Sequence, residues 1–110
     1  MRVEIPTRAA DLGETMSAYM IVNVEVNDAA AYEEYKRQVP ALIRKHGGEY
    51  VVRGGEFVVA EGEWRPTRIV ILRFPDMKSA RGMYDDPEYA PLKALRQRVS
   101  KGDIVFVEGM

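Results

Sequence analysis

The only tryptophan of the chain and two arginines lie close together and could bind an anion. Trp64 is followed directly by Arg65, and Arg68 lies three residues further on. Arginine binds carboxylates through paired, charge-assisted hydrogen bonds, and an indole ring beside it can form the wall of a pocket. The alternative is that Trp64 only supplies packing area and that the arginines pair with Glu61 or Glu63. We take Trp64 and Arg68 as candidate ligand-binding residues.

Arg53 and Asn23 are two further candidates for ligand binding. Arg53 precedes a pair of glycines and, together with Arg68 on a neighbouring strand, could form a positively charged entrance to a pocket. An ion pair with a carboxylate is the simpler interpretation of Arg53, because arginine is usually exposed or paired. Asn23 lies on the second face of the first predicted strand, where a buried amide needs a hydrogen-bond partner. That partner could be a ligand.

His46 is a candidate catalytic residue because it is the only histidine, and histidine alone has an unperturbed pKa near neutrality. It could act as a general base or as an axial ligand of a haem iron. The simpler interpretation follows from its position just before Gly47, at the predicted end of a helix. There a partly charged imidazole is favoured by the negative end of the helix dipole.

Tyr84 is the second catalytic candidate and is also a candidate for ligand binding. Together with Tyr89 it flanks the acidic segment 85–88, where a phenol could orient a ligand carbonyl. The simpler interpretation is that both tyrosines pack in the core and that the carboxylates cap a helix. The segment lacks the spacing of a calcium-binding loop, so we predict no metal site.

Composition and motifs exclude several classes of function. The formal net charge of -1 provides no positive field that would draw the protein to nucleic acid or to a membrane surface. The absence of cysteine excludes disulfides and thiol catalysis, and fits a reducing cytoplasm. No apolar run approaches the ~20 residues of a membrane helix, and no phosphate loop, nucleophile elbow or zinc motif occurs. We expect a cytoplasmic protein without a cofactor and without nucleic-acid or membrane partners.

The strands and helices that would position these side chains follow from hydrophobic periodicity and turn signals. Strands are predicted at 18–26, 49–53, 56–62, 67–74 and 104–107, and helices at 29–45, after Asp76 and after Pro87. Asp28 is expected to cap the first helix, and Pro40 to kink or break it. A short turn at 101–103 is expected to precede the last strand.

Several details of this pattern bear on the site. Gly54-Gly55 lies between two β-rich runs, which predicts a two-residue hairpin between strands 49–53 and 56–62. Tyr32 and Tyr35 are interpreted as packing residues between the first helix and the sheet. The inward face of the third helix is predicted to consist of Tyr89, Leu92, Leu95, Arg96 and Val99.

The order β-α-β-β-α-(α)-β predicts an α+β fold of the ferredoxin-like, split βαβ type, with a four-stranded antiparallel sheet and helices on one face. We divide the chain into a flexible extension, residues 1–16, and one domain, residues 17–110. The second face of the sheet is also apolar, for example at Ile69 and Ile71, which is unusual for an uncovered surface. We therefore predict a homodimer in which two sheets face each other and leave room for a small ligand.

Seven segments, taken together with their spacing, resemble a known family. They are 31–35, 47–48, 53–55, 61–66, 68–71, 84–89 and 107–109. The chain from residue 18 to 109 is similar in this respect to the uncharacterised family "domain of unknown function 1330", of the dimeric α/β-barrel superfamily. The resemblance implies a ferredoxin-like fold and a dimeric α/β barrel. It does not imply one reaction, since the superfamily includes cofactor-independent monooxygenases, isomerases and haem-handling proteins.

Three hypotheses for the function result. In the first, a dimer binds a small organic ligand, anionic or carbonyl-containing, between its sheets and acts as a cofactor-independent monooxygenase or isomerase-like enzyme. Asn23, Arg53, Trp64, Arg68 and Tyr84 would line that site. In the second, the dimer has a non-catalytic stress or scaffold role. In the third, the protein is a haem-associated enzyme that uses His46.

Overall fold

The computed structural model describes residues 16–110. The predicted flexible extension, residues 1–16, lies outside this range apart from Met16. The elements in chain order are β1 (Ala18–Val26), α1 (Ala29–Lys45), β2 (Glu49–Arg53), β3 (Ile69–Phe74), α2 (Met77–Tyr84), α3 (Ala90–Val99) and β4 (Ser100–Glu108).

The strands form one four-stranded sheet in the order β2-β3-β1-β4, and neighbouring strands are antiparallel. The predicted α+β, ferredoxin-like fold is confirmed. The central strand β1 fixes the register of the sheet, because Val22 lies opposite Val70 of β3 and Ile104 of β4. This register determines which side chains of different strands are neighbours on the face that the helices cover.

The helices cover one face of the sheet, which we call the inner face. Alternate residues of β1 and β3 point towards the helices and are buried, as the period of a strand requires. Together with side chains of the helices they form the core, which includes Met20, Val22, Val24, Tyr35, Val39, Leu42, Ile43, Val70, Leu72, Phe74 and Met83.

The opposite face, which we call the outer face, is apolar as well. Ile21, Ile69 and Ile71 point to this side and are half-buried in the single chain. Val105 and Val107 of β4 are 55% and 44% exposed. This agrees with the sequence pattern from which we predicted a second subunit, and the homodimer itself stays a prediction.

The predicted strand 56–62 and the hairpin at Gly54-Gly55 are wrong. Residues 54–68 form an irregular, largely exposed loop, and β2 pairs directly with β3. Gly54 has a φ of 70° but Gly55 does not have a positive φ, whereas the hairpin turn that the sequence predicted needs both. The physical reason is burial. Pairing with β3 places Tyr50 beside a buried strand, whereas Val58 stays 83% exposed.

Two further predictions about the elements need correction. The helix α1 continues through Pro40, so the break that was one of the two predicted outcomes does not occur, and Val39 and Leu42 on either side of Pro40 are buried. Residues 101–103 do not form a turn but belong to β4. Gly102 is there because β4 passes so close to β1 that a Cβ would lie 2.0 Å from the carbonyl oxygen of Asn23.

The predicted cap of α1 is confirmed, and α2 has a cap of the same kind. A side-chain oxygen of Asp28 accepts a hydrogen bond from the backbone N–H of Ala31 at 3.1 Å, at the start of α1. Asp76 does the same for Ser79 at 2.7 Å, at the start of α2. These bonds satisfy backbone groups that have no partner within the helix.

Candidate functional site

A cavity of about 50 Å³ lies between the inner face of the sheet and the helices. A space of this size can hold on the order of three to five water molecules. The cavity therefore lies within one subunit and on the helix side of the sheet. A chamber between two sheets, as the sequence predicted, stays a prediction.

Three arginines line one end of this cavity, which we call the cationic end: Arg53, Arg68 and Arg96. Arg96 of α3 is only 8% exposed. Its Nε donates a hydrogen bond to the hydroxyl of Tyr89 at 3.3 Å. Within residues 16–110, none of the three guanidinium groups forms an ion pair with a carboxylate. The cationic end therefore carries positive charge that the described part of the chain does not neutralise.

A β-bulge directs Arg53 towards the cavity. Tyr50 lies opposite Leu72, and Arg53 lies opposite Val70, with a register shift between Tyr50 and Val52. In a regular strand, residues three apart point to opposite faces, so Tyr50 and Arg53 would be separated. The extra residue of the bulge places both on the inner face. The guanidinium of Arg53 lies over the Tyr50 ring, 4.3 Å from its centroid.

The side chain of Arg68 lies over Gly54, the first residue of the loop, and lines the cavity. Its guanidinium lies against Gly54, where an added Cβ would be 2.7 Å from the Cζ atom of Arg68. Gly54 is thus required both for its positive φ and for this close approach. The backbone N–H of Arg68 is held by Asn23, whose Oδ1 accepts at 3.2 Å.

Tyrosine hydroxyls form the polar part of the wall. The hydroxyls of Tyr35 and Tyr89 are 2.8 Å apart, and Arg96 bonds to the same Tyr89 oxygen. Burial raises the pKa of Tyr32, and the positive charge of Arg68 opposes this rise only in part. Burial raises the pKa of Tyr50 in the same way. These phenols are therefore protonated at neutral pH and can donate hydrogen bonds to a ligand oxygen.

The other end of the cavity, which we call the apolar end, is formed by Met20, Ile43, Leu72 and Met83. Ile43 lies near the end of α1, against Gly48. Met83 belongs to α2, next to Gly82, which lies beside the ring of His46. Lys36 of α1 also lines the cavity, and its ammonium pairs with Glu33 at 3.0 Å. The arginines whose charge is not paired within the described residues thus lie at one end of the cavity, and mostly hydrocarbon side chains lie at the other.

The structure brings two of the five predicted ligand-binding residues, Arg53 and Arg68, to the cavity. Asn23 lies on the outer face, where its Oδ1 accepts hydrogen bonds from the backbone of Thr67 at 2.8 Å and of Arg68. Its amide oxygen therefore has backbone partners and ties the end of the loop to β1. Trp64 lies in the loop and is 59% exposed.

Tyr84 also lies outside the cavity lining. Its ring packs against Tyr89 at 5.9 Å and edge-on against Phe106 at 5.8 Å. The ammonium of Lys93 lies 3.9 Å from the centroid of the Tyr84 ring. These contacts describe a packing and cation–π role.

His46 ends α1, as predicted, and is held by a carboxylate. Its Nε2 lies 2.8 Å from an Asp86 oxygen, and Lys45 approaches the same oxygen at 3.0 Å. The pKa of the Asp86 carboxyl is held well below its usual range, first by the hydrogen bond with His46. The backbone N–H of Glu88 and the ammonium of Lys45 lower it further. This cluster joins the end of α1 to the connection between α2 and α3, away from the cavity.

Sequence reasoning missed Arg96 and the tyrosines of the cavity. Arg96 was placed on the inward face of its helix, and an arginine among core residues is itself a signal, because arginine is rarely buried without a partner. Tyr32 and Tyr35 were interpreted as packing residues. They do pack in the core, but they also line the cavity.

Among residues 16–110, no three histidine, aspartate or glutamate side chains lie close enough together to hold a metal ion. None of the helices in that range has the length and apolar character needed to cross a membrane.

Comparison with solved structures supports the fold. The RPA0582 protein of unknown function from Rhodopseudomonas palustris is similar, with a TM-score of 0.71 and 18% identity over 96% of this chain and 95% of that chain. SnoaB, a cofactor-independent oxygenase from Streptomyces nogalater, is similar with a TM-score of 0.63 and 13% identity, over 87% of this chain and 95% of that chain. At these identities the similarity establishes the fold alone. No curated protein matches the sequence.

A family model for a domain of unknown function, DUF1330, matches residues 17–110, which include every strand and helix described above. The chain therefore belongs to the DUF1330 family, as the sequence motifs predicted.

Proposed function

We propose that this protein is a homodimer in which each subunit binds a small organic anion or carbonyl compound in the cavity between the helices and the sheet. The observation that carries this proposal is the buried guanidinium of Arg96, which has a phenol but no carboxylate as its partner in the described residues. A buried charge is expensive unless it is paired. A bound anion would supply the missing negative charge.

The other groups at the cavity favour the same ligand. Arg53 and Arg68 add two positive charges at its cationic end, and the protonated phenols of Tyr32 and Tyr50 add hydrogen-bond donors. Fixed donors and positive charges also stabilise negative charge that develops on a carbonyl oxygen during a reaction. We therefore propose a cofactor-independent reaction on such a compound, of the monooxygenase or isomerase type. The fold shared with the oxygenase SnoaB is compatible with this class.

The proposed dimer covers the outer face of the sheet. Exposed valines of β4 and half-buried isoleucines of β1 and β3 give this face the apolar character of an interface. A second copy of the chain would cover it by two-fold symmetry. The ligand cavity and the interface then lie on opposite sides of one sheet.

The geometry favours this proposal over the two alternatives. A haem iron would have to compete for His46 with Asp86, which already occupies Nε2 at 2.8 Å. If hemin gives the same absorbance spectrum with His46→Ala as with the native protein, ligation by His46 is excluded. A stress or scaffold role gives no reason for the buried Arg96 to have no carboxylate partner among residues 16–110.

The test is the change in melting temperature with small anions at constant ionic strength. Sodium acetate, butyrate, benzoate and succinate are compared with sodium chloride. At least one organic anion should raise the melting temperature above the value in chloride, and Arg68→Ala should abolish this rise. Arg98→Ala is the matched control, because Arg98 is exposed and lies outside the cavity lining. If no anion has an effect, or if Arg68→Ala leaves the effect intact, the proposal is wrong.

A further inference from the structure

The two ends of the cavity differ in charge and polarity, and this difference restricts the chemical class of the ligand. Resting on the proposed function, we infer that the ligand is a short-chain monocarboxylate whose carboxylate lies at the cationic end and whose hydrocarbon tail lies at the apolar end. The register of the sheet, the distance between the two ends and the volume of the cavity all favour such a ligand.

The register of the strands fixes the cationic end. Arg53 lies opposite Val70, and Val70 lies opposite Val22, so these three residues form one row across the inner face. Arg68 lies just beyond this row, two residues before Val70 in the chain. Arg96 lines the same cavity from α3, where it bonds to the Tyr89 hydroxyl, which in turn bonds to Tyr35 of the lining. The three guanidinium groups therefore face one cavity.

The next row of the inner face contains Met20 and Leu72 of the apolar end, and also Tyr50, whose ring lies under the guanidinium of Arg53. Met20 lies opposite Leu72, two residues along each strand from the row that contains Val22. Successive inner residues of a strand are about 7 Å apart. A ligand whose carboxylate contacts the arginines would thus have its tail beside Met20 and Ile43, about 7 Å away. No charged side chain from these two strands faces that end, since their other inner residues are apolar.

The volume limits the length of the tail. A cavity of about 50 Å³ accommodates only a few non-hydrogen atoms beyond the carboxylate. Each methylene that becomes buried at the apolar end should tighten binding about four-fold. Once the space is filled, further methylenes must displace core side chains, which opposes binding. A second carboxylate on the tail would lie among mostly hydrocarbon side chains, and Lys36, the further cation that lines the cavity within the described residues, is already paired with Glu33.

These features predict a defined order of affinities, measured by isothermal titration calorimetry with the full chain. Affinity should increase from acetate to propionate to butyrate and fall again at octanoate. Succinate should bind at least ten-fold more weakly than butyrate, because its second charge would lie at the apolar end. Butyramide, which has the same tail without the charge, should show no binding at the concentrations that saturate with butyrate.

A conservative variant tests the position of the tail. Ile43→Val removes one methyl group from the apolar end and should move the optimum chain length up by about one carbon. Ile21→Val is the matched control, because Ile21 lies on the outer face and should leave the optimum unchanged.

The outcomes separate this inference from the proposed function. If acetate, butyrate and succinate bind equally well and Arg68→Ala abolishes all three, the cavity binds anions but does not select a tail, so the inference is wrong and the proposed function stands. If benzoate or succinate binds more tightly than butyrate, the inference is also wrong. If none of these anions binds, both are wrong. An optimum that shifts with Ile43→Val but not with Ile21→Val supports the inference.

Discussion

Replacement of Arg96 by methionine should make the ligand-free protein more stable while it abolishes ligand binding. Arg96 is 8% exposed, and its one hydrogen bond to a side chain of the described residues goes to the Tyr89 hydroxyl at 3.3 Å. A hydrogen bond from a charged donor contributes about 1.5–3 kcal/mol. Burial of a guanidinium without a counter-charge costs several kcal/mol. The unfavourable contribution is the larger one in the ligand-free state.

The variant Arg96→Met removes the charge that is unpaired within the described residues and leaves no new unsatisfied group among them that would offset the gain in stability. The Tyr89 hydroxyl keeps its hydrogen bond with Tyr35 at 2.8 Å, so it is not left without a partner. Methionine is flexible and fills the space of the arginine stem. We expect a gain of about 1 kcal/mol in the free energy of unfolding, within the range found when buried charges are replaced by apolar side chains. This corresponds to a rise in melting temperature of about 4 °C.

The assay compares melting temperatures with and without sodium butyrate. At a butyrate concentration about 100 times the dissociation constant, the native protein should gain about 2.7 kcal/mol, or roughly 10 °C. Arg96→Met should gain nothing, so the ligand reverses the order of stability of the two proteins. Arg96→Lys keeps the charge and serves as the control. A loss of more than about 2 kcal/mol in ligand-free Arg96→Met would refute the reasoning, because it would mean that the protein itself compensates the charge.

Three other predictions concern the interface, the sheet and the helix junction. Val107→Lys should convert the proposed dimer to a monomer in sedimentation velocity, since it places a charge on the outer face; an unchanged sedimentation coefficient would count against this interface. Gly102→Ala should lower the free energy of unfolding by about 1–3 kcal/mol in urea, because its Cβ would collide with a β1 carbonyl. Gly55→Ala, whose Cβ would have no neighbour within 4 Å, should be nearly neutral, and equal effects of the two would contradict the argument. The lowered pKa of Asp86 stabilises the folded protein above the ordinary carboxyl pKa of about 4, and this stability is lost as the pH falls through the folded-state pKa. Asp86→Asn should therefore flatten the decline in melting temperature below about pH 4, and an identical decline would exclude this role.

The elements that could be predicted from the sequence are those whose signals agree with tertiary packing. The alternation of Met20, Val22 and Val24 matches the inner face of β1, and Asp28 caps α1 as expected. The prediction of a hairpin at Gly54-Gly55 is wrong because the glycine pair reports only on neighbouring residues and not on long-range strand pairing. The pairing that forms is long-range: Tyr50 of β2 lies opposite the buried Leu72 of β3, while Val58 of segment 56–62 stays 83% exposed.

Fewer of the cavity-lining residues could be predicted from the sequence, because their orientation depends on packing in three dimensions. The orientation of Arg53 depends on a bulge in β2, and an irregularity of one residue reverses the face to which every following side chain points. Arg96 was recognised as an inward residue, but three-dimensional packing decides that no carboxylate of the described residues pairs with it. The paired candidates Trp64 and Arg68 are close in sequence, yet the loop separates the exposed indole from the cavity.

The placement of the cavity and of the proposed interface on opposite faces of one sheet has a consequence for how they can be tested. Inner residues such as Val22 and Val70 contribute to the cavity, while their chain neighbours Ile21 and Ile71 contribute to the outer face. Because side chains alternate along a strand, a substitution on the outer face does not remove a lining group. Loss of the dimer would therefore affect ligand binding only through the backbone of the sheet. A monomeric Val107→Lys protein that still binds butyrate would place the complete site within one subunit.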